Sequence, residues 1–199
     1  MTAPINPNVM TALRLPLAPV AVGFMIGETT WGFVAAAVLA LLLELTDLAD
    51  GWLARKYGQV TSFGKLFDPF SDAFCRFTLF LGLYAIGVAD LWMIMAIFYR
   101  DASISFFRSV AAVRNVVLAA RPSGKAKAVF QGVGTQIIFI ALVIDQFYPG
   151  IAILEMTPWW TMLIVTIVTV GSFVDYFIGN LPILRAAWAD EPAGGADGA

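Results

Sequence analysis

The sequence contains no histidine and a single cysteine, Cys75, among its 199 residues. Without histidine the chain cannot build a Cys/His metal site, a Ser-His triad or a histidine-activated cysteine, and one cysteine cannot form an intrachain disulfide. Charged residues are also scarce, at 13% of the chain, whereas hydrophobic residues make up 60%. Chemistry in this protein must therefore come from carboxylate, arginine, lysine and hydroxyl side chains.

The high apolar content predicts a membrane protein. Mean hydropathy is +0.82, well above what the core of a soluble domain requires. Most of the six apolar stretches approach or exceed the roughly 20 residues that span a bilayer, and they cover residues 12–26, 31–53, 63–88, 91–118, 128–147 and 159–184. We therefore predict an all-α integral membrane protein with six transmembrane helices and a short amino-terminal interfacial segment. One membrane domain is expected at residues 1–188, followed by a disordered acidic tail at residues 189–199.

Lysine and arginine are missing from three of the predicted loops, those around Glu28, around Asp90 and between Asp145 and Glu155. With six spans, these loops share one side of the membrane, so the positive-inside rule puts both termini in the cytoplasm. We therefore predict a multi-pass protein of the inner (cytoplasmic) membrane whose active site faces the cytoplasm. The formal net charge of −2 gives no indication of nucleic acid as a partner.

Four aspartates interrupt the second and third apolar stretches. Asp47 and Asp50 are three residues apart, and Asp68 and Asp72 are four apart, so each pair lies on one face of a helix. If the two helices pack as a hairpin about Gly58, the four carboxylates repel one another strongly in a low dielectric. Carboxylate oxygens are ligands that Mg²⁺ and Mn²⁺ prefer, and these ions bind phosphates. The spacing therefore predicts two divalent ions, Mg²⁺ or Mn²⁺, that hold a diphosphate ester.

The segment from Asp47 to Asp72 matches the pattern DxxDGxxARx8GxxxDxxxD at every specified position. This pattern resembles the signature of the CDP-alcohol phosphotransferase family, membrane enzymes that move a phospho-alcohol from a cytidine diphosphate carrier to an acceptor hydroxyl. The resemblance implies metal binding by Asp47, Asp50 and Asp68, with Asp72 as the catalytic base. We count Asp72 as a candidate metal ligand as well. It implies CDP or diphosphate binding by the residues between them, Gly51, Ala54, Arg55 and Gly64.

The amino-terminal segment resembles a pattern in the branch of this family that makes phosphatidylglycerol phosphate. In that branch the pattern is NxxTxxR, which here corresponds to Asn8, Thr11 and Arg14. The resemblance implies that Asn8 and Thr11 lie near the CDP diphosphate. For Arg14 an ordinary alternative remains open, in which a helix-end arginine extends its side chain to the membrane surface.

Two further segments resemble the same branch. One contains Arg100 and Arg108, eight residues apart, and the other contains Lys125 and Lys127 in SGKAK. The resemblance implies that these four residues bind the phosphate of the acceptor, although the lysines could equally be positive-inside anchors. Arg100 lies so deep in its span that we expect it to face a carboxylate or a wet cavity. Asp101 stands where the branch usually has glutamate.

The resemblance implies that an acceptor hydroxyl attacks the β-phosphorus of CDP-diacylglycerol and expels CMP. The favoured acceptor is glycerol 3-phosphate, and the enzyme is expected to be a homodimer in the lipid bilayer. The closest alternative keeps the chemistry but uses inositol phosphate, serine, inositol or an amino alcohol. Two other interpretations are a structural network in which the carboxylates pair with Arg55, Lys56, Lys65 and Arg76, and a divalent-cation transporter with aspartates along its route. The network does not explain the glycines, and the transporter explains the spacing of neither the glycines nor Arg55.

Overall fold

The computed structural model describes residues 7–56, 62–113 and 121–189. Within these ranges the chain forms six α-helices and no β-strand. The helices are α1 (Pro7–Ile26), α2 (Thr30–Lys56), α3 (Ser62–Ala85), α4 (Leu91–Val113), α5 (Pro122–Phe147) and α6 (Ala152–Ala189). The all-α prediction is therefore confirmed for the described part of the chain. The predicted acidic tail lies outside the described residues, apart from its first position.

In the described ranges, four helical segments are long and apolar enough to cross a bilayer, namely Val9–Ile26, Thr30–Ala49, Pro122–Phe147 and Ala152–Pro182. They indicate a multi-pass membrane protein. Helices α3 and α4 contain 24 and 23 residues, so each is about 35 Å long at the α-helical rise. Both carry charged side chains in their halves nearest the aspartates, which lowers their hydropathy.

Helix α1 lies between α2 and α3 and packs against both of them. Helices α2 and α3 consequently make few direct contacts, which differs from the simple hairpin that the sequence suggested. Close approach of α1 and α3 depends on Gly82, because a Cβ at this position would come within 2.9 Å of Val22. The third helix pair at the site, α2 and α5, is also in contact, and α5 packs along α6.

The largest fully buried apolar side chains form one core that joins α1, α3, α4, α5 and α6. Its principal members are Met25, Phe80, Leu83, Met93, Ile94, Ile138, Phe139 and Met162. Phe80 lies two helical turns beyond Asp72 on α3. The core therefore occupies the half of the bundle away from the aspartates, and polar side chains concentrate in the other half.

Candidate functional site

Two of the predicted aspartates meet at a single arginine from α1. Arg14 is only 2% exposed, and its Nη1 donates to Oδ1 of Asp47 at 2.7 Å. Its Nη2 lies 3.6 Å from Oδ1 of Asp72. The interpretation of Arg14 as a surface-reaching arginine is therefore wrong, because the side chain is buried between carboxylates of α2 and α3.

The third described aspartate is bound by the turn of α1 that precedes Arg14. Thr11 is fully buried, and its Oγ1 donates to Oδ1 of Asp68 at 3.1 Å. In return, Oγ of Ser71 donates to the backbone carbonyl of Thr11 at 3.2 Å. Asp47, Asp68 and Asp72 consequently border the same short stretch of α1, from Thr11 to Arg14.

A second buried arginine connects Asp72 to two other helices. Nε of Arg76 donates to Oδ1 of Asp72 at 2.8 Å, and Nη1 donates to the backbone carbonyl of Ala128 at 3.1 Å. Its Nη2 lies 3.4 Å from Oε1 of Glu44. Glu44 is therefore a further carboxylate at the site, and it was missed from the sequence. The available signal was a glutamate inside an apolar stretch, three residues before Asp47.

Several predicted site residues lie at positions whose side chains the structure does not describe. They are Asn8, Asp50, Gly51, Ala54 and Arg55. Gly64 is described and is buried in α3. Among the described side chains, no group of three or more possible ligands is arranged to hold a metal ion.

The chemistry of the described carboxylates nevertheless fits a hard divalent cation. Asp47, Asp68 and Asp72 supply the oxygen donors that Mg²⁺ and Mn²⁺ favour. The guanidinium of Arg14 already lies against two of these carboxylates, so this position attracts positive charge. Because Asp47 and Asp72 both contact Arg14, they are close enough to share a divalent cation.

A second polar cluster joins α4, α5 and α6. Nη1 of Arg100 contacts Oδ1 of Asp101 at 2.7 Å, and Nζ of Lys127 contacts Oδ2 of the same carboxylate at 2.9 Å. Arg100 also donates to Oγ of Ser172, at 3.0 Å from Nη2. The expectation that Arg100 faces a carboxylate is therefore confirmed. Asp101 bridges two of the predicted acceptor-binding cations.

The other two predicted cations are placed less centrally. Arg108 is exposed, and its Cζ lies 5.9 Å from the ring centroid of Tyr176. Tyr176 follows Ser172 by one turn of α6, so Arg100 and Arg108 face the same side of that helix. Lys125 is exposed. The structure thus brings Arg100 and Lys127 together. Arg108 of α4 contacts the same face of α6 one turn further along, at Tyr176.

Asp175 on α6 is paired with an arginine close to the start of α5. Nη2 of Arg121 contacts Oδ1 of Asp175 at 2.6 Å, and Ser123 also donates to this carboxylate. The hydrogen bond to Asp175 and its negative charge raise the pKa of Arg121 above its ordinary value. Gly179 leaves room for the arginine, because a Cβ there would overlap its guanidinium.

Comparison with known proteins decides the family. A family model described as CDP-alcohol phosphatidyltransferase matches residues 4–171. The chain belongs to this family. The CDP-diacylglycerol--glycerol-3-phosphate 3-phosphatidyltransferase of Bacillus subtilis is 27% identical over 197 residues, which cover 91% of this chain and 97% of that protein. The Treponema pallidum protein of the same name is 29% identical over 162 residues, covering 76% of this chain and 72% of that protein.

A third relative is a probable phosphatidylglycerophosphate synthase of Mycobacterium tuberculosis. It is 31% identical over 138 residues, which cover 68% of this chain and 66% of that protein. The family match begins before α1 and ends within α6. It therefore includes Arg100, Asp101 and Lys127 as well as the segment that contains the aspartates, and it ends just before Ser172.

In this CDP-alcohol phosphatidyltransferase, two clusters adjoin at the start of α5. The carboxylate cluster consists of Glu44, Asp47, Asp68 and Asp72, and the cation cluster consists of Arg100, Lys127 and the Asp101 that they share. Arg76, which binds Asp72, donates to the carbonyl of Ala128. The preceding residue, Lys127, binds Asp101 in the cation cluster. An anion held by Arg100 and Lys127 would consequently lie beside the carboxylates that fit divalent metal.

Proposed function

We propose that this protein transfers a phosphatidyl group from CDP-diacylglycerol to a hydroxyl of glycerol 3-phosphate and releases CMP. The observation that carries the proposal is the adjacency of two unlike clusters across α5. The carboxylates of Asp47, Asp68 and Asp72 suit a metal-bound diphosphate. The cations Arg100 and Lys127, which both contact Asp101, suit a phosphorylated acceptor. The family membership and the names of the relatives support the same reaction.

We assign the metal site to the four aspartates Asp47, Asp50, Asp68 and Asp72, which would hold two Mg²⁺ or Mn²⁺ ions. Such ions neutralise a diphosphate and stabilise the charge that develops on the leaving CMP. The CDP diphosphate would be held by the residues that surround the aspartates, Asn8, Thr11, Gly51, Ala54, Arg55 and Gly64. Arg14 joins this group because it is buried against Asp47.

Asp72 is the proposed base. It takes the proton from the acceptor hydroxyl, whose oxygen then forms a bond to the β-phosphorus of CDP-diacylglycerol. The bond from that phosphorus to the oxygen it shares with CMP breaks, and CMP leaves with the electron pair. Both arginines at Asp72 contact its Oδ1, so they hold the carboxylate by one oxygen.

The acceptor phosphate would be bound by the cation cluster, with Arg100 and Lys127 in direct contact and with Arg108 and Lys125 closer to solvent. Asp101 shares the charge of Arg100 and Lys127. The cluster therefore carries a moderate positive charge, which favours a small anion that can be exchanged. A neutral acceptor such as serine or inositol would leave both cations paired only with Asp101.

We further propose that α3 and α4 also cross the membrane, which gives six spans with both termini and the site on the cytoplasmic face. The basic residues of both clusters lie at the same end of the bundle, in agreement with the positive-inside rule. CDP-diacylglycerol could then keep its acyl chains in lipid while its headgroup reaches the aspartates. The homodimer implied by the family resemblance is part of the proposal, and cross-linking in native membranes tests it.

Proteoliposomes that contain the purified protein and CDP-diacylglycerol test this function. CMP release should require Mg²⁺ or Mn²⁺ and should be fastest with glycerol 3-phosphate in a panel with inositol phosphate, serine, inositol and ethanolamine. Preference for a neutral acceptor would overturn the assignment of the cation cluster. Uptake of Mn²⁺ without lipid turnover would instead favour the transporter.

A further inference from the structure

We propose that Glu44 and Arg76 act together as positioning residues for Asp72 in the phosphatidyl transfer. This inference rests on the proposed function and deepens it. Neither residue belongs to the spacing pattern that marks the family, and neither was assigned a catalytic role from the sequence. The pair acts by fixing the orientation of Asp72 and its distance from the acceptor-binding start of α5.

The guanidinium of Arg76 is held by three helices. Its Nε donates to Asp72 in the same helix at 2.8 Å, and its Nη1 donates to the Ala128 carbonyl of α5 at 3.1 Å. Its Nη2 lies 3.4 Å from Glu44 of α2. The residue is only 8% exposed, so each nitrogen that points towards a neighbouring helix has a defined partner. A planar guanidinium with three fixed contacts cannot rotate without breaking at least one of them.

The carboxylate of Glu44 occupies space that a glycine of α5, Gly132, leaves open. A Cβ at Gly132 would overlap the Glu44 carboxylate, whose carbon would be 2.9 Å away. Glycine at this position therefore lets the carboxylate lie directly against the backbone of α5. From this position Glu44 contacts Arg76 and offsets part of the positive charge of the buried guanidinium.

The contact with Asp72 is suited to positioning. Arg76 follows Asp72 by four residues on one face of α3, and it binds Oδ1 only. Arg14 also approaches Asp72 at this same oxygen. The pair would thus fix the proposed base through Oδ1.

The contact with Ala128 gives the pair a second function. Ala128 follows Lys127, which binds Asp101 in the cation cluster. Arg76 therefore sets the separation between the base and the groups that would hold the acceptor phosphate. A shift of about 1 Å at a reacting group can lower the rate by about 10²-fold. Loss of the pair should consequently slow the chemical step more than it weakens binding of CDP-diacylglycerol.

Three variants in nanodiscs test the inference by separating kcat from KM. Arg76→Gln should lower kcat by about 10²-fold, whereas Arg76→Lys, which keeps the charge but not the planar fork, should recover part of that loss. Glu44→Gln should lower kcat by about 10-fold, since it weakens a supporting contact. In each case the KM for CDP-diacylglycerol should change by less than about threefold, because Asp47 and Asp68 keep their contacts with Arg14 and Thr11 even where the contact with Asp72 is lost.

Gly132→Ala provides a variant that removes no charge. The added methyl group should displace the Glu44 carboxylate and reproduce the kcat loss of Glu44→Gln. Gly171→Ala is the matched control, because a Cβ at Gly171 meets no atom within 4 Å. For Arg76→Gln the control is Arg121→Gln, which breaks the ion pair between the residue that precedes α5 and Asp175 of α6 and should keep its kcat.

A readout other than turnover distinguishes positioning from folding. Mn²⁺ bound per protein, measured by electron paramagnetic resonance, should stay at the wild-type level in Glu44→Gln and Gly132→Ala. The double variant Glu44→Gln/Arg76→Gln should lose no more kcat than Arg76→Gln alone, because the two residues act as a unit. Unchanged kcat in Gly132→Ala, or multiplicative losses in the double variant, would overturn the inference. Wild-type CMP release in the same nanodiscs tests the proposed function separately.

Discussion

The two ends of the helix bundle are held together in different ways. The end that carries the aspartates, here called the site end, joins its helices through buried ion pairs such as Arg14–Asp47 and Lys127–Asp101. The far end contains the turns at residues 27–29, 86–90 and 148–151. Between these turns and the aspartates, the helices are joined by apolar packing around Phe80.

This difference indicates what each end is for. A buried ion pair contributes little net stability, because removing both charges from water offsets their attraction. Packing of apolar side chains gives more stability and needs no particular chemistry. The site end therefore keeps charges for binding and catalysis, and the far end keeps the helices together. Substitutions at the two ends should separate activity from stability.

The largest effect is expected from Asp68→Asn at the site end. Removing this carboxylate should lower CMP release by about 10⁴-fold or more, the scale of losing an essential catalytic group. Membrane insertion and the apolar core should be unaffected, since Asp68 accepts a hydrogen bond from Thr11 and is not a member of the apolar core. CMP release and the melting temperature in detergent are to be measured together.

The control for Asp68→Asn is Glu155→Gln, which removes an exposed carboxylate at the far end. It should release CMP at the wild-type rate. Normal turnover in Asp68→Asn would contradict the metal assignment, and it would favour a merely structural network of charges at the site end.

At the far end, Phe80→Ala should lower stability without an equal loss of activity. Phe80 is fully buried, so truncation leaves a cavity and should lower the free energy of unfolding by about 3 kcal/mol. Below its melting temperature the variant should keep a kcat within about twofold of wild type, because residual cavities change packing locally. Unfolding in mixed micelles and CMP release at low temperature measure the two quantities.

Phe24→Ala is the control, because it truncates a phenylalanine of α1 that is 46% exposed. Its unfolding free energy should change much less than that of Phe80→Ala. If Phe80→Ala instead lost kcat in a protein that is still folded, the two ends would be coupled, and the comparison would fail.

The sequence was sufficient for local features of this site but not for its packing. The pairs Asp47/Asp50 and Asp68/Asp72 follow from helical periodicity, which acts over one turn. The insertion of α1 between α2 and α3 depends on how three helices fit together, so the burial of Arg14 did not follow. Its place in NxxTxxR indicated a neighbouring diphosphate, but spacing alone could not identify Asp47 as its partner.

The pairing of Glu44 with Arg76 illustrates the same limit. Each residue is visible as a charge in an apolar stretch, but 32 positions separate them in the sequence. A similar limit applies to the lysines of α5. Lys125 and Lys127 lie about 200° apart around a helix, so only one of them could face Arg100. The rotation of α5 in the bundle decides that it is Lys127.

A smaller effect at the site end is expected from Arg108→Ala. The exposed guanidinium of Arg108 would contact the acceptor phosphate from one side, and a charge-assisted hydrogen bond to an exposed anion contributes about 1.5 kcal/mol. The KM for glycerol 3-phosphate should therefore rise by about 10-fold, whereas the KM for CDP-diacylglycerol should stay nearly constant. Steady-state CMP release with each substrate varied in turn measures both values.

Lys125→Ala is a useful companion to Arg108→Ala, because Lys125 is also exposed but its binding role is proposed only by resemblance. A smaller increase in the KM for glycerol 3-phosphate is expected. Equal increases for both substrates in Arg108→Ala would argue against a site for the acceptor phosphate at the Tyr176 face of α6.

The smallest effect should come from the one described side-chain hydrogen bond that joins α6 to the turn between α3 and α4. Nε1 of Trp159 donates to Oδ2 of Asp90 at 3.0 Å. Because this bond is exposed, water or lipid headgroups can replace it, and Trp159→Phe should cost about 0.5 kcal/mol. Its kcat should equal that of wild type, as measured by CMP release beside unfolding in mixed micelles. A tenfold loss of kcat at unchanged stability would mean that the far end also takes part in catalysis, and the division of roles between the two ends would then be wrong.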